Sequence, residues 1–163
     1  PRLVAKKMRK VFMHPRNLPP RDWELPLLAT SERITLRFGL SALRWGKGPA
    51  VLLMHGWEGR PTQFAALISA LVDAGYTVVA LDGPAHGRSP GREANVLLFA
   101  RAMLEAAAEL PPLQAVIGHS MGGLIILVCS LTSVLMWARL TSHYTVLAII
   151  VQLLEPAARR STV

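Results

Sequence analysis

The chain has 163 residues, 52% of them hydrophobic, with a formal net charge of +8 and a mean hydropathy of +0.35, which leaves room for one compact domain with a sizeable core and excludes a second full domain. The charge does not mark a nucleic-acid surface: seven of the 18 basic residues fall between Arg2 and Arg21 with no acid among them, leaving 11 against all 10 acids in the remainder. A single cysteine, Cys129, excludes an internal disulfide, and no apolar leader follows the basic start, so the expected compartment is cytoplasmic.

Residues 1–30 read as a basic, proline-rich N-terminal arm. Leu3, Val4, Met8, Val11 and Phe12 give it a rough helical stripe, which leaves room for weak association with a membrane surface; the plain expectation is a solvated extension. Pro15, Pro19, Pro20 and Pro26 break regular structure, and Trp23, Leu25, Leu27 and Leu28 are expected to pin this tethered loop to the body. Alternation of Ile34, Leu36 and Phe38 with polar neighbours, then of Leu43 and Trp45 around Arg44, predicts a half-exposed antiparallel hairpin.

The pattern changes at Val51–Met54, a continuous apolar run of the kind that is buried on both faces of a sheet. Pro61 opens a helix, Phe64, Leu67, Ile68, Leu71 and Val72 form its apolar stripe, and Gly75 stops it. Tyr76 to Leu81 is a second buried strand, Glu93 to Leu110 a second helix stopped by Pro111 and Pro112, and Leu113 to Ile117 a third buried strand. Buried strands alternating with helices define an α/β fold: a mostly parallel sheet with helices on both faces, preceded by the antiparallel hairpin. Leu124 to Ala138 continues as a buried helix and Thr145 to Leu154 as one further strand.

Three motifs follow the three buried strands and so fall at one sheet edge, where such folds bind ligands. They are His55-Gly56-Trp57, Asp82-Gly83-Pro84-Ala85-His86-Gly87-Arg88-Ser89 and Gly118-His119-Ser120-Met121-Gly122. In the last, a serine between glycines sits where a strand turns sharply into a helix, so that its hydroxyl stands exposed. A serine hydroxyl needs a general base to take its proton and donors for the oxyanion that forms. The Met121 N–H, at a helix N-terminus, is one such donor, and the Trp57 N–H, in the turn after the first buried strand, is the expected second.

This ordered set resembles the α/β-hydrolase superfamily, in its esterase, lipase-like and peptidase-like branch, over about residues 33–138. The resemblance implies a serine hydrolase acting on carboxylic esters or related small acyl substrates, with no cofactor and no metal. Ser120 is then the nucleophile, Trp57 and Met121 the oxyanion donors, and His55, Gly56, Gly118, His119 and Gly122 the residues that shape the elbow and its surroundings. His55 reads as a turn histidine that orders the oxyanion loop, His119 as pointing away from substrate, and residues 82–89 as a loop that shapes the site without doing chemistry.

The resemblance also implies a triad in the order serine, acid, histidine, and here the chain departs from it. After Ser120 the only acid is Glu155 and the only histidine is His143, which precedes it. Glu155 is the acid candidate; a base in the family's position is missing. The expected architecture is therefore a truncated α/β-hydrolase fold, with residues 31–138 as a partial core and 139–163 as a divergent tail, and the expected activity is impaired. Two other readings stand beside it: a catalytically dead binding module, and a membrane-associated fragment whose uncharged stretches Leu110–Ala138 and Leu140–Leu154 form an apolar hairpin.

Overall fold

The computed structural model describes residues 12–132 together with Val4, Lys7 and Met8. Its frame is a five-stranded sheet in the order β1-β2-β4-β3-β5, built from β1 (Glu32–Thr35), β2 (Ser41–Trp45), β3 (Ala50–Met54), β4 (Thr77–Leu81) and β5 (Leu113–Gly118). β1 and β2 form the expected antiparallel hairpin, β2 joins β4 antiparallel, and β3 lies between β4 and β5, parallel to both. All five residues of β3 are buried, as its uninterrupted apolar run requires. The hairpin is less exposed than expected. β1 is largely open, but in β2 only Arg44 is exposed, because β2 sits inside the sheet between β1 and β4.

Alternate residues of the strands feed two cores. On one face Leu43, Val51, Leu53, Val78, Ala80 and Ile117 pack with Phe64 and Ile68, which lie in a 3-10 turn (Pro61–Phe64) and in the helix that follows it. On the other, Leu52, Met54, Val79, Leu81 and Val116 meet Phe99 and Met103 from one helix and Ile125 and Ile126 from another. The α-helices that pack on or beside this sheet among the described residues are α1 (Leu25–Ala29), α2 (Ala65–Asp73), α3 (Val96–Glu109) and α4 (Met121–Thr132). Helices thus cover both faces, as the alternation of patterns requires.

Three local expectations are corrected. α3 begins at Val96 and not at Glu93, because the Asn95 side chain caps it by accepting from Leu98 N–H at 2.9 Å. α4 begins at Met121 and buries one face only: Ile125, Ile126 and Cys129 are covered while Leu124, Leu127 and Val128 are exposed. Burial raises the Cys129 thiol's pKa and leaves it a packing residue.

The third correction concerns the arm. Trp23 and Leu25 are exposed, while Leu27 and Leu28 are partly buried against the core. The deepest pin is Glu24, 2% exposed, whose Oε2 accepts from Arg60 Nη1 at 2.9 Å and from Arg21 N–H at 2.6 Å. Trp45 Nε1 adds a bond to the Leu27 carbonyl at 2.9 Å. Pro26 does not break structure here; it occupies the first turn of α1, where its missing N–H costs nothing.

Candidate active site

The register of the sheet brings the site together. Met54 of β3 is level with Leu81 of β4 on one side and Gly118 of β5 on the other, so the residues after each of them emerge at the same height. These are the turn beginning at His55, the loop beginning at Asp82 and the elbow at His119–Ser120. Ser120 is exposed and has φ 54°, a left-handed backbone that a side chain disfavours. The fold holds it there by close backbone packing. A Cβ on Gly118 would lie 2.4 Å from the Gly122 carbonyl carbon, and one on Gly122 only 2.2 Å from the Met54 carbonyl oxygen. The turn can be this tight only because both positions lack a side chain.

Gly56 lies directly beside the serine, since a Cβ built there would be 2.9 Å from Ser120 Cβ and 3.3 Å from its Oγ. Trp57 comes next in the chain, and its ring stands edge-on to His86 at 5.7 Å between centroids. Met121 opens α4, where the first N–H groups of a helix have no intrahelical partner and the dipole favours negative charge. Of the expected site residues, Ser120, Trp57, Met121, His55, Gly56, Gly118, His119 and Gly122 all gather at this edge. Glu155 and His143 lie outside the described residues.

The histidines have other tasks. His55 is fully buried; its Nδ1 donates to the Gly56 carbonyl at 2.6 Å and its Nε2 accepts from Gly83 N–H at 2.9 Å. His86 answers from the opposite loop: its Nδ1 donates to the Pro84 carbonyl at 2.8 Å and its Nε2 accepts from Glu58 N–H at 3.0 Å. Each ring therefore ties its own loop to the other, and the Phe99 ring packs edge-on against both. Both rings must be neutral to accept these bonds. Desolvation holds His55 down to about 3 and pushes His86 down as well. His119 engages Gln63 through Nδ1 at 3.1 Å, with its N–H on the Met54 carbonyl.

Residues 82–89 form a second knot. The Asp82 carboxylate, 4% exposed, accepts from Arg33 Nη1 at 3.3 Å and Arg88 N–H at 3.2 Å, and Ser89 Oγ donates to the Asp82 carbonyl at 2.6 Å while accepting from Ser41 N–H at 2.9 Å. The segment that crosses this edge carries no local signal in the sequence. From Met13 to Pro19 the chain is a strap bound to both loops: the Met13 carbonyl accepts from Ala94 N–H at 2.7 Å, Asn17 Oδ1 from Gly87 N–H at 2.9 Å, and Arg16 grips Glu58. A cavity of about 280 Å³ opens between strap and loops, walled by Arg16, Leu18, Arg33, Arg60, Asp82 and Arg88 among others; Ser120 is not in its wall, so it lies beside the site. Among the described residues no histidine, cysteine and carboxylate group is arranged to hold a metal ion, and no helix is long and apolar enough to cross a membrane.

A strand–serine–helix elbow at the carboxyl edge of a parallel sheet, faced by two glycine-containing loops, is the arrangement of a hydrolase of the α/β type. The sequence signature of the alpha/beta hydrolase family matches residues 51–160, and the chain belongs to that family. An acetyltransferase component of the acetoin cleaving system of Cupriavidus necator, a dihydrolipoyllysine-residue enzyme, is 41% identical over 88 residues, which cover 50% of this chain and 22% of that protein. The pimeloyl-[acyl-carrier protein] methyl ester esterase of Stenotrophomonas maltophilia is 37% identical over 82 residues, 50% of this chain and 30% of the esterase. The chain thus spans under a third of the length of these curated relatives. Among solved structures, the thioesterase domain from the curacin biosynthetic pathway aligns with a TM-score of 0.56 and 32% identity over 62% of this chain and 42% of that one.

Proposed function

We propose that this chain carries the nucleophile half of a serine hydrolase for carboxylic esters or thioesters of small acyl groups. The observation that carries the reading is Ser120 itself: an exposed hydroxyl on a left-handed residue, at the start of a helix, against the Gly56 backbone. In this reading Ser120 Oγ attacks the acyl carbon, the carbonyl oxygen becomes an oxyanion, and the N–H groups of Met121 and Trp57 receive it. The similarity to a methyl ester esterase and to a thioesterase domain supports an acyl substrate.

Deprotonation is the weak step. His55 and His86 spend both ring nitrogens on the loops, and His119 is turned to Gln63, so none of these three serves Ser120 as base. With Met121 and Trp57 as oxyanion donors and no general base at Ser120 among the described residues, the chain on its own is expected to hydrolyse esters slowly, retaining roughly 10³- to 10⁴-fold over water. A fluorophosphonate that reports on activated serines tests this. Labelling that disappears in Ser120→Ala supports the hydrolase; a folded wild type that neither takes up the reagent nor turns over p-nitrophenyl acetate is instead a binding module.

A further inference from the structure

Trp57, proposed above to present an oxyanion donor, is held between two anchors. On its N-terminal side Gly56 is pressed against Ser120 and tied through His55 to the opposite loop. On its C-terminal side stands Glu58, which closes a tight turn with Gly59 N–H on the Gly56 carbonyl at 3.1 Å and has φ 52°. Glycine is the usual occupant of such a turn position, so a glutamate there has to be held. His86 holds its N–H. Arg16 holds its carboxylate with four contacts: Nε to Oε1 at 2.9 Å, Nε to Oε2 at 3.0 Å, Nη2 to Oε2 at 2.6 Å, and the Arg16 N–H to Oε1 at 3.1 Å.

We infer that Arg16 is a positioning residue for the candidate oxyanion hole: its fork on Glu58, opposite the His86 bond to Glu58 N–H, fixes the turn that aims the Trp57 N–H. The inference rests on the reading of Ser120 and Trp57 above, and it makes the N-terminal strap part of the site. Magnitude separates aiming from general stabilisation. The Arg16 side chain is 73% exposed against 20% for Glu58, and an ion pair whose cation is this open to water adds little to global stability. Arg44–Glu32 provides the control: it is as short, at 2.6 Å, and also open to water, with Arg44 43% and Glu32 60% exposed, but it joins β1 to β2 and touches neither site loop.

The test compares wild type with Arg16→Ala, Arg16→Lys and Arg44→Ala, reading hydrogen exchange at the Glu58 amide, kcat and KM for p-nitrophenyl acetate, and the unfolding midpoint. Arg16→Ala is expected to speed Glu58 exchange and lower kcat, each about tenfold, with KM and the midpoint nearly unchanged, since a misaimed donor fails mainly in the transition state. Arg16→Lys, which has no planar fork, restores part of the loss, and Arg44→Ala changes nothing. Unchanged Glu58 exchange overturns the inference, as does exchange that rises equally across the core strands. A wild type without turnover in which Arg16→Ala still loosens Glu58 alone sinks the hydrolase reading and leaves the clamp standing.

Discussion

The two halves of the site are built on different physics. The elbow of residues 118–123 is fixed by close contact: backbone meets backbone where glycines allow it, and apolar side chains such as Val116, Ile117 and Ile125 lock strand and helix around the turn. The facing loops, residues 55–60 and 82–94, set Trp57, Ala85 and Ala94 against the core but are joined to each other by polar ties, of which the His55–His86 clasp and the Asp82 knot are the most buried. Close packing is indifferent to pH and intolerant of added volume. A polar clasp that needs neutral histidines is sensitive to pH, so acid should loosen the loops before it reaches the elbow.

The largest difference should appear on acidification. His55 titrates near 6.5 in the unfolded chain but at about 3 in the fold, so the unfolded state binds the extra proton throughout that interval. The stability from the neutral ring is fully present above pH 6.5 and is lost as pH falls toward 3, at about 1.4 kcal/mol per pH unit and up to about 5 kcal/mol in total. His86, pushed in the same direction, adds to the slope. Urea midpoints at pH 7.5, 6.5, 5.8 and 5.0 check this above the range where carboxylates titrate. His55→Gln should be less stable at pH 7.5 yet show a visibly flatter profile; an equal slope in the two proteins would mean that the clasp is not the acid-sensitive element.

The elbow answers to volume. Gly122→Ala places a methyl group 2.2 Å from the Met54 carbonyl oxygen, in the backbone of β3, where no side chain can swing aside. A loss of about 3 kcal/mol or more is expected, the same at pH 7.5 and pH 5.5, measured by urea unfolding. A cost under about 1 kcal/mol would show that strand and helix separate more easily than the packing implies.

Next in size is the knot. Asp82→Asn keeps the shape but removes the charge that faces Arg33 and replaces one acceptor oxygen with a donor, against Arg88 N–H. Because the carboxylate is buried, a cost of about 2 kcal/mol is expected at pH 7.5. If the unfolding midpoint of Asp82→Asn matches wild type, Arg33 is finding solvent and the knot contributes shape alone.

The contrast also explains what could be read in advance. Val51–Met54 declares a buried strand because an apolar run leaves it no exposed face, and Gly118-His119-Ser120-Met121-Gly122 declares a tight turn because local sterics act within a few residues. Both signals are contained in short stretches. The loop ties are not: His55 meets Gly83 and His86 meets Glu58 across 28 positions each, and Arg16 meets Glu58 across 42. Nothing local distinguishes Arg16 from the other basic residues of a run that looks solvated, and only the aligned ends of β3 and β4 give it a partner. The same holds for Trp23 and Leu25, whose hydrophobicity suggested anchors while Glu24 between them is the residue that is buried, against the half-buried Arg60.

The smallest expected effect has the opposite sign and bears on Ser120 alone. Its φ of 54° costs a residue with a Cβ roughly 1 kcal/mol relative to glycine, and its exposed side chain recovers little of that by packing. Ser120→Gly should therefore raise stability by about 0.5 to 1 kcal/mol while abolishing fluorophosphonate labelling, whereas Ser120→Ala abolishes labelling with almost no change in stability. The pair of variants separates strain from chemistry, because only glycine relieves the backbone and both remove the hydroxyl. Stabilisation by glycine alone would show that the elbow spends folding energy to hold a hydroxyl in the open, a cost that makes sense at a nucleophile and has no use in a turn that merely connects β5 to α4. If glycine is no more stable than alanine, the left-handed residue is unstrained in its setting, and the case for Ser120 as nucleophile rests on labelling alone.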